Sequence, residues 1–234
     1  VLDRPNPNGH YIDGPILNKE FSSFVGLHQV PIVHGMTVGE YAKMVNAEGW
    51  LKGGILCDLT VIEMENYNRT EAYELPIAPS PNLPNQKAIY LYPSLCFFEG
   101  TEISEGRGTD KPFQQFGYPK MPNGNTQFTP KSIESAAKYP KLENKNCNGV
   151  DLSSLSEDSL RNLGQINLNW LIDSYQNYPK KDKFFKANFF DKLAGSSELR
   201  EQIIAGKSAD EIHQGWTSGI TNFKVTRKQY LLYP

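Results

Sequence analysis

The sequence has few of the residues that metal or dithiol chemistry needs. Its three cysteines, Cys57, Cys96 and Cys147, include no CxxC spacing and cannot all pair, and its four histidines, at 10, 28, 34 and 213, are scattered without ligand spacing. Cys57 and Cys96 lie in apolar runs and are expected to be buried, while Cys147 lies in an Asn-rich turn and is expected to be exposed. No apolar run approaches the ~20 residues of a membrane-spanning helix. No GxGxxG or P-loop pattern follows a strand, so a nucleotide-binding reading is weak and no cofactor is expected. Charge of one sign is also lacking. The balance is 24 basic against 26 acidic residues, net −2, which argues against a nucleic-acid partner held by phosphate neutralisation. No opening methionine or signal segment is present, and Val1-Leu2-Asp3 reads like the end of a strand, as expected for the carboxyl-terminal part of a longer protein.

What is present suits a neutral polar ligand such as a sugar. Apolar residues make up 38% and aromatics 12% of 234 residues, enough for a real core. Thr37 and Glu40 form a capping box that predicts a helix to about Glu48, with Val38, Tyr41, Met44 and Val45 on one stripe. Ser208 and Glu211 predict a second such start, followed by Ile212, Trp216 and Ile220, and Ser197 precedes a shorter helix ended by Gly206. Leu56 to Met64 reads as a strand, and so does the tail Gln229 to Tyr233. Thr129-Pro130 opens a short expected helix through Tyr139, Lys141 to Val150 reads as polar turn, and Leu160 to Tyr178 reads as one long helix stopped by Pro179. Pro76, Pro79, Pro81 and Pro84 mark a rigid linker. The expected organisation is α/β. Residues 1–84 form the remainder of a first lobe plus linker, and residues 85–234 form a smaller mixed α/β domain.

The chemistry is concentrated in Phe98 to Phe113. An apolar run, Ala88 to Tyr92 and then Leu95 to Phe98, is expected to be a buried strand that empties into this loop. Glu99, Glu102 and Glu105 recur every third residue, so on a helical turn they would share a face and repel. Gly106 and Gly108 flank Arg107 and let its guanidinium be aimed. The same residues also suit a solvated surface loop. Asp3 and Arg4 stand where a strand would end, a ligand position or a loop-tying pair. His34 lies just before a helix N-terminus, where a histidine serves as a structural hydrogen bonder more often than as a catalyst. Asn82, between Pro81 and Pro84, is held rigidly enough to present its side chain or simply forms a turn. Two lobes are expected to meet near the linker, with His34, Asn82 and the 99–109 loop on one cleft.

Asp3-Arg4-Pro5-Asn6-Pro7, His34-Gly35-Met36-Thr37, Ser80-Pro81-Asn82-Leu83-Pro84, Glu99-Gly100-Thr101 with Ser104-Glu105-Gly106-Arg107-Gly108-Thr109, and the closing Tyr230-Leu231-Leu232-Tyr233 stand in one order. In that order they resemble the exo-β-N-acetylmuramidase family (NamZ type). The resemblance covers essentially the whole chain but only the latter part of the family's usual length. It implies a Rossmann-like first lobe, mostly missing here, with a glycosidase cleft against the carboxyl-terminal lobe. The implied activity is removal of terminal N-acetylmuramic acid from the non-reducing end of peptidoglycan fragments. Peptidoglycan-derived sugars are then the expected partners, and an extracytoplasmic location, periplasmic or secreted, is expected. Glu102 stands where the family usually has asparagine, and Asn66-Tyr67 where it commonly has Gly-Trp.

Glycoside hydrolysis needs a proton donor and a second group at the anomeric carbon. The acetamide of an N-acetyl sugar can be that second group, so one protein acid can suffice. Glu105 is the preferred acid, Glu99 the alternative, and His34 a further catalytic candidate. Arg107 is read as the ligand of the lactyl carboxylate, with Ser104, Thr109, Asn82, Asp3, Arg4 and Asn6 as further substrate-binding candidates. The competing class is a carbohydrate-binding domain that stacks Trp50, Tyr67 or Tyr118 on sugar faces without cutting.

Overall fold

In the computed structural model, which describes residues 1–234, the first capping box forms as the sequence predicts. Thr37 Oγ1 accepts from the Glu40 backbone N–H, and Glu40 reaches back to the Thr37 N–H, so α1 runs Val38–Ala47. Just ahead of it, β1 (Asp13–Ile16) and β2 (Pro31–Val33) pair antiparallel. The second capping box, Ser208 with Glu211, likewise starts a long α7 (Ala209–Lys228). The architecture is mixed α/β, with seven helices and two small antiparallel sheets.

The run from Ala88 is a helix, not the expected strand: α2 spans Gln86–Leu95 and continues into a 3-10 turn at Cys96–Gly100. Ala88, Ile89, Tyr90, Leu91 and Leu95 are all buried, so the run shows no polar face from which a helical period could be read. Its start signal is Asn85, whose side chain accepts from the Ala88 N–H. Pro93 lies inside α2 and brings no N–H to the carbonyl of Ile89. The Asn8 side-chain amide donates to that carbonyl instead, at 3.1 Å, and ties the 3–9 turn to α2.

The larger sheet orders β3 (Gln115–Tyr118), β5 (Cys147–Asp151) and β4 (Thr126–Phe128), with β5 central and both neighbours antiparallel. Strand β5 therefore replaces the end of the expected polar turn, and Cys147 is fully buried there. Cys57 is exposed, the reverse of the expectation for both thiols, while Cys96 is buried as expected. Residues 129–139 form turns closed by a bridge of Ile133 with Ala137 rather than a helix. The expected long helix is two, α3 (Glu157–Arg161) and α4 (Asn169–Asn177), interrupted at Gly164, where φ is +56°. Leu56 to Met64 forms no strand. Ile62 alone pairs, in parallel, with Leu2. The tail is not a strand either. Side chains fix it: Glu40 accepts from the Leu232 N–H, and Tyr233 donates to Asp3.

Helices α5 (Ala187–Ala194) and α6 (Glu198–Ile204) close the main core around Phe97, Phe98, Phe116, Phe184 and Phe190, all buried. Each such side chain contributes about 1.5–3 kcal/mol of burial. Ser197 precedes α6 as expected but makes no side-chain cap.

Helix α7 is joined to β1 by a pair of the buried Asp13 with the half-buried His213. Asp13 Oδ2 accepts from His213 Nε2 at 3.2 Å and from the Ile166 N–H at 2.6 Å. Asp13 raises the His213 pKa above its ordinary 6.5, against the opposing effect of burial. A raised histidine pKa contributes stability that is fully present below the unfolded value and is lost as pH rises through the folded value. His213→Asn is therefore expected to lower the urea midpoint more at pH 5.5 than at pH 9. An equal loss at both pH values would show that the Asp13–His213 charge contributes nothing.

Candidate active site

The site loop begins where the 3-10 turn ends. Thr101 is extended, so the three glutamates do not share a helical face as the spacing alone suggested. Glu102 turns away to Lys186, 3.5 Å off, and Glu99 and Glu105 meet on Arg107. Gly106 and Gly108 both sit at φ +80°, and a Cβ on Gly108 would lie 2.5 Å from the Lys131 carbonyl. The glycines let the loop pack against residues 131–140 while Arg107 projects from between them.

Arg107 Nη2 donates to Glu99 Oε2 at 3.0 Å. Its Nε lies 3.4 Å from Glu105 Oε1, too poorly aligned for a hydrogen bond. Below it the Phe113 ring lies 5.0 Å from the guanidinium carbon, a cation–π contact. Phe113 holds φ at +53°, a conformation rare for a bulky side chain, fixed here by its N–H donating to the Glu105 carbonyl.

The two acids differ in setting. The Glu105 side chain is 2% exposed and lies 2.7 Å from the Lys141 ammonium. Glu99 opens onto a cleft of about 510 Å³ that also receives His34, Tyr41, Tyr92, Arg107 and Lys192, a size suited to one or two sugar rings. Burial raises the Glu99 pKa, and Arg107 pulls it back only in part, so it stays above the ordinary 4.5.

On the opposite wall His34 Nδ1 accepts from the Met36 N–H, which leaves Nε2 as the protonated nitrogen. Burial, helped by Arg227 and opposed by Glu40, drives the His34 pKa down to about 4. It is a neutral donor at pH 7, with its ring 5.0 Å from that of Tyr41. The exposed turn of Phe24 to Leu27 forms an apolar rim on this side.

The structure thus brings His34, Glu99 and Arg107 to one cleft, and the other candidates stand elsewhere. Ser104 accepts from the Gly106 N–H, and Thr109 bonds Gly106 O and Gln115, so both shape the loop from inside. Asn82 donates to the Ala136 carbonyl at 2.8 Å rather than facing the cleft. Asn6 donates to the Met36 carbonyl and accepts from Asn8.

Asp3 is 2% exposed and receives four bonds, from Thr37 Oγ1, the Gly39 N–H, the Arg4 N–H and the Tyr233 hydroxyl. Burial pushes its carboxyl up, but these bonds together outweigh it and hold the group below the ordinary range. Arg4 lies with Tyr67 and Tyr73 in a second depression of about 350 Å³.

Sequence reasoning missed Lys141, Tyr92 and Lys192. Lys141 sat in a stretch read as polar turn, and nothing local marks a lysine that reaches 36 residues back to Glu105. Of the aromatics proposed as a sugar platform, Tyr118 is buried with its hydroxyl on the Asn177 carbonyl, and Trp50 stacks on His28. Tyr67, Tyr118 and Trp50 line three separate depressions.

Comparison with known proteins gives these features a lineage. Residues 90–233 match the family described as exo-beta-N-acetylmuramidase NamZ, C-terminal, and residues 1–87 its N-terminal counterpart. Peptidoglycan beta-N-acetylmuramidase NamZ of Bacillus subtilis is 37% identical over the whole chain, which spans 59% of that relative's length. The crystal structure of a DUF1343 family protein from Bacteroides fragilis superposes with a TM-score of 0.95 at 54% identity, over 100% of this chain and 66% of that one. A second DUF1343 structure from the same organism, 23% identical, shares the fold at a TM-score of 0.76 over 99% of this chain and 65% of its own. With the two family models matching in order along nearly the whole chain, the chain belongs to the exo-β-N-acetylmuramidase NamZ family.

Proposed function

We propose that this protein acts as a glycoside hydrolase that releases terminal N-acetylmuramic acid from the non-reducing end of peptidoglycan fragments, outside the cytoplasm. The observation that carries the reading is the pairing of Glu99 with Arg107 in a sugar-sized cleft. In it a carboxyl biased toward its protonated form adjoins a planar cation able to grip a carboxylate. The substrate's lactyl group supplies that carboxylate, and the Bacillus relative is named for β-N-acetylmuramidase activity on peptidoglycan. The parallel pairing of Leu2 with Ile62 supports reading residues 1–84 as the remainder of a Rossmann-like lobe, with 85–234 as the carboxyl-terminal domain.

Glu99 rather than Glu105 serves as the acid in this reading. Glu105 is buried between two cations and does not open onto the cleft, so it is removed from substrate. Arg107 supplies the chief opposition to protonation of Glu99. When the lactyl carboxylate takes up Arg107, that opposition weakens and the Glu99 pKa rises further. Binding of the correct sugar therefore readies the donor. Glu99 then protonates the leaving oxygen as the glycosidic C–O bond breaks and the substrate's acetamide oxygen bonds the anomeric carbon; water, giving its proton back to Glu99, opens the cyclised sugar to release free N-acetylmuramic acid. Neutral His34 offers an N–H to a sugar oxygen and carries no charge into the cleft.

Incubation with a disaccharide bearing non-reducing N-acetylmuramic acid is expected to release the free sugar. Absence of product with bound but uncleaved disaccharide would favour a binding domain instead. Arg107→Lys is expected to weaken N-acetylmuramic acid about tenfold or more, the value of one charge-assisted bond of about 1.5–3 kcal/mol, and to leave N-acetylglucosamine nearly unaffected. Equal losses for both sugars in a calorimetric titration would make Arg107 structural.

A further inference from the structure

Lys141 stands behind the site loop, away from the cleft. Its ammonium donates to the carbonyls of Phe98, Thr101 and Ile103 and lies 2.7 Å from Glu105 Oε2. From there charge alternates toward the cleft, through Lys141, Glu105, Arg107 and Glu99. The contacts along this line are uneven. Glu105 lies close to Lys141 and makes only a loose 3.4 Å contact with Arg107 Nε, whereas Arg107 Nη2 bonds Glu99 at 3.0 Å. The guanidinium thus turns its bonding edge outward although a buried carboxylate lies behind it.

We propose that Lys141 is a positioning residue that holds Glu105 and so keeps the outer edge of Arg107, which bonds Glu99, turned toward a ligand carboxylate in the cleft. The ligand part rests on the functional reading above. Its physical basis is competition for one planar fork. A carboxylate prefers a two-bond pairing with arginine, and a buried carboxylate stripped of one cation is strongly destabilised unless another closes on it. Without Lys141, Glu105 keeps one ion-pair partner, Arg107. Rotation of the guanidinium inward would satisfy Glu105 and withdraw the fork from Glu99 and from ligand. Phe113 beneath the guanidinium allows this turn, since its ring face holds the cation without fixing which edge points outward. Lys141 therefore sets specificity for a carboxylate-bearing sugar without touching it.

The test compares the parent 234-residue protein with Lys141→Met and with Lys141→Met/Glu105→Gln. Crystal structures locate Arg107, and calorimetry measures N-acetylmuramic acid against N-acetylglucosamine. In Lys141→Met, Arg107 is expected to leave Glu99 and pair with Glu105. Affinity for N-acetylmuramic acid should fall about tenfold and that for N-acetylglucosamine less than about twofold. Removing the competing carboxylate in the double variant should return Arg107 to the cleft and restore the affinity. A lysine that only tied loop carbonyls together would give no such rescue. If Lys141→Met does not fold, Lys141→Gln, which keeps N–H donors without the charge, carries the same comparison. Arg107 still on Glu99 in the charge-free variant, or no rescue by Glu105→Gln, overturns the proposal. If the parent protein binds neither sugar, the functional reading fails, and the position of Arg107 in the crystals decides this proposal alone.

Discussion

Glu99→Gln is expected to slow hydrolysis of a muramic-acid glycoside with a poor leaving group by about 10²–10⁴-fold, the usual contribution of a positioned general acid. A substrate whose leaving group departs without a proton should be slowed far less. The pH profile supplies a second sign. A general acid must be protonated, so kcat/KM falls as pH rises through its pKa. Burial places that limb above the ordinary carboxyl value of 4.5, and in Glu99→Gln the limb should vanish. Glu105→Gln is the control: it leaves the cleft carboxyl in place and should keep the limb, moved to lower pH because the Glu105 charge helps raise the Glu99 pKa. If instead Glu105→Gln removes it and harms the poor leaving group selectively, the buried glutamate is the acid and Glu99 is not. No limb from His34 is expected near pH 6.5, because its imidazole is already neutral above about pH 4.

The second large effect concerns the fold that carries the site. Glu40→Ala is expected to destabilise the protein by about 3–5 kcal/mol, the cost of breaking a buried ion pair by removing one partner. Glu40 is fully buried and pairs with Arg69 at 2.6 Å. Its carboxylate also accepts from the N–H groups of Thr37 and Leu232. Its loss leaves Arg69 facing only the carbonyls of Gly35 and Tyr233, beside Arg227, which also donates to Gly35 O. Two cations then share the Gly35 carbonyl with no carboxylate between them. For a domain of this size the loss corresponds to a fall in Tm of about 6–20 °C. Glu40→Gln, which preserves shape and some hydrogen bonding, should fall short of that. A change below about 1 kcal/mol for Glu40→Ala in urea unfolding would show that the pair is dispensable.

These residues also show what the sequence made legible. The capping box of Thr37 and Glu40 was readable because both halves lie within four positions, and the same holds for Ser208 and Glu211. That Glu40 also pairs with Arg69 and holds the tail was not readable, because those partners lie 29 and 192 residues away. Helix α2 was misread for a different reason. It is buried nearly all round, so the alternation that separates helix from strand is absent. The structure tolerates Pro93 because Asn8, far away in sequence, takes the carbonyl it frees. The division of α3 from α4 was hidden by leucines that keep a helical spacing across Gly164.

The candidate site divides the same way. Glycines, glutamates and arginine packed into one short loop marked it as chemical, and the outlying His34 motif reaches the same cleft. Which glutamate faces solvent depends on how the loop folds over Lys141, a contact that no local pattern encodes. Motif order carried the family, yet Asp3 and Asn6 occur in those motifs as fasteners of the β2–α1 turn.

N-acetylmuramic acid is expected to bind in the cleft of His34, Glu99 and Arg107. Crystals of the protein soaked in that sugar test it most directly. The expected result is density for the lactyl carboxylate on Arg107, with the anomeric oxygen within hydrogen-bond reach of Glu99. Sugar bound instead in the depression of Arg4, Tyr67 and Tyr73, with the Glu99 cleft empty, would contradict it.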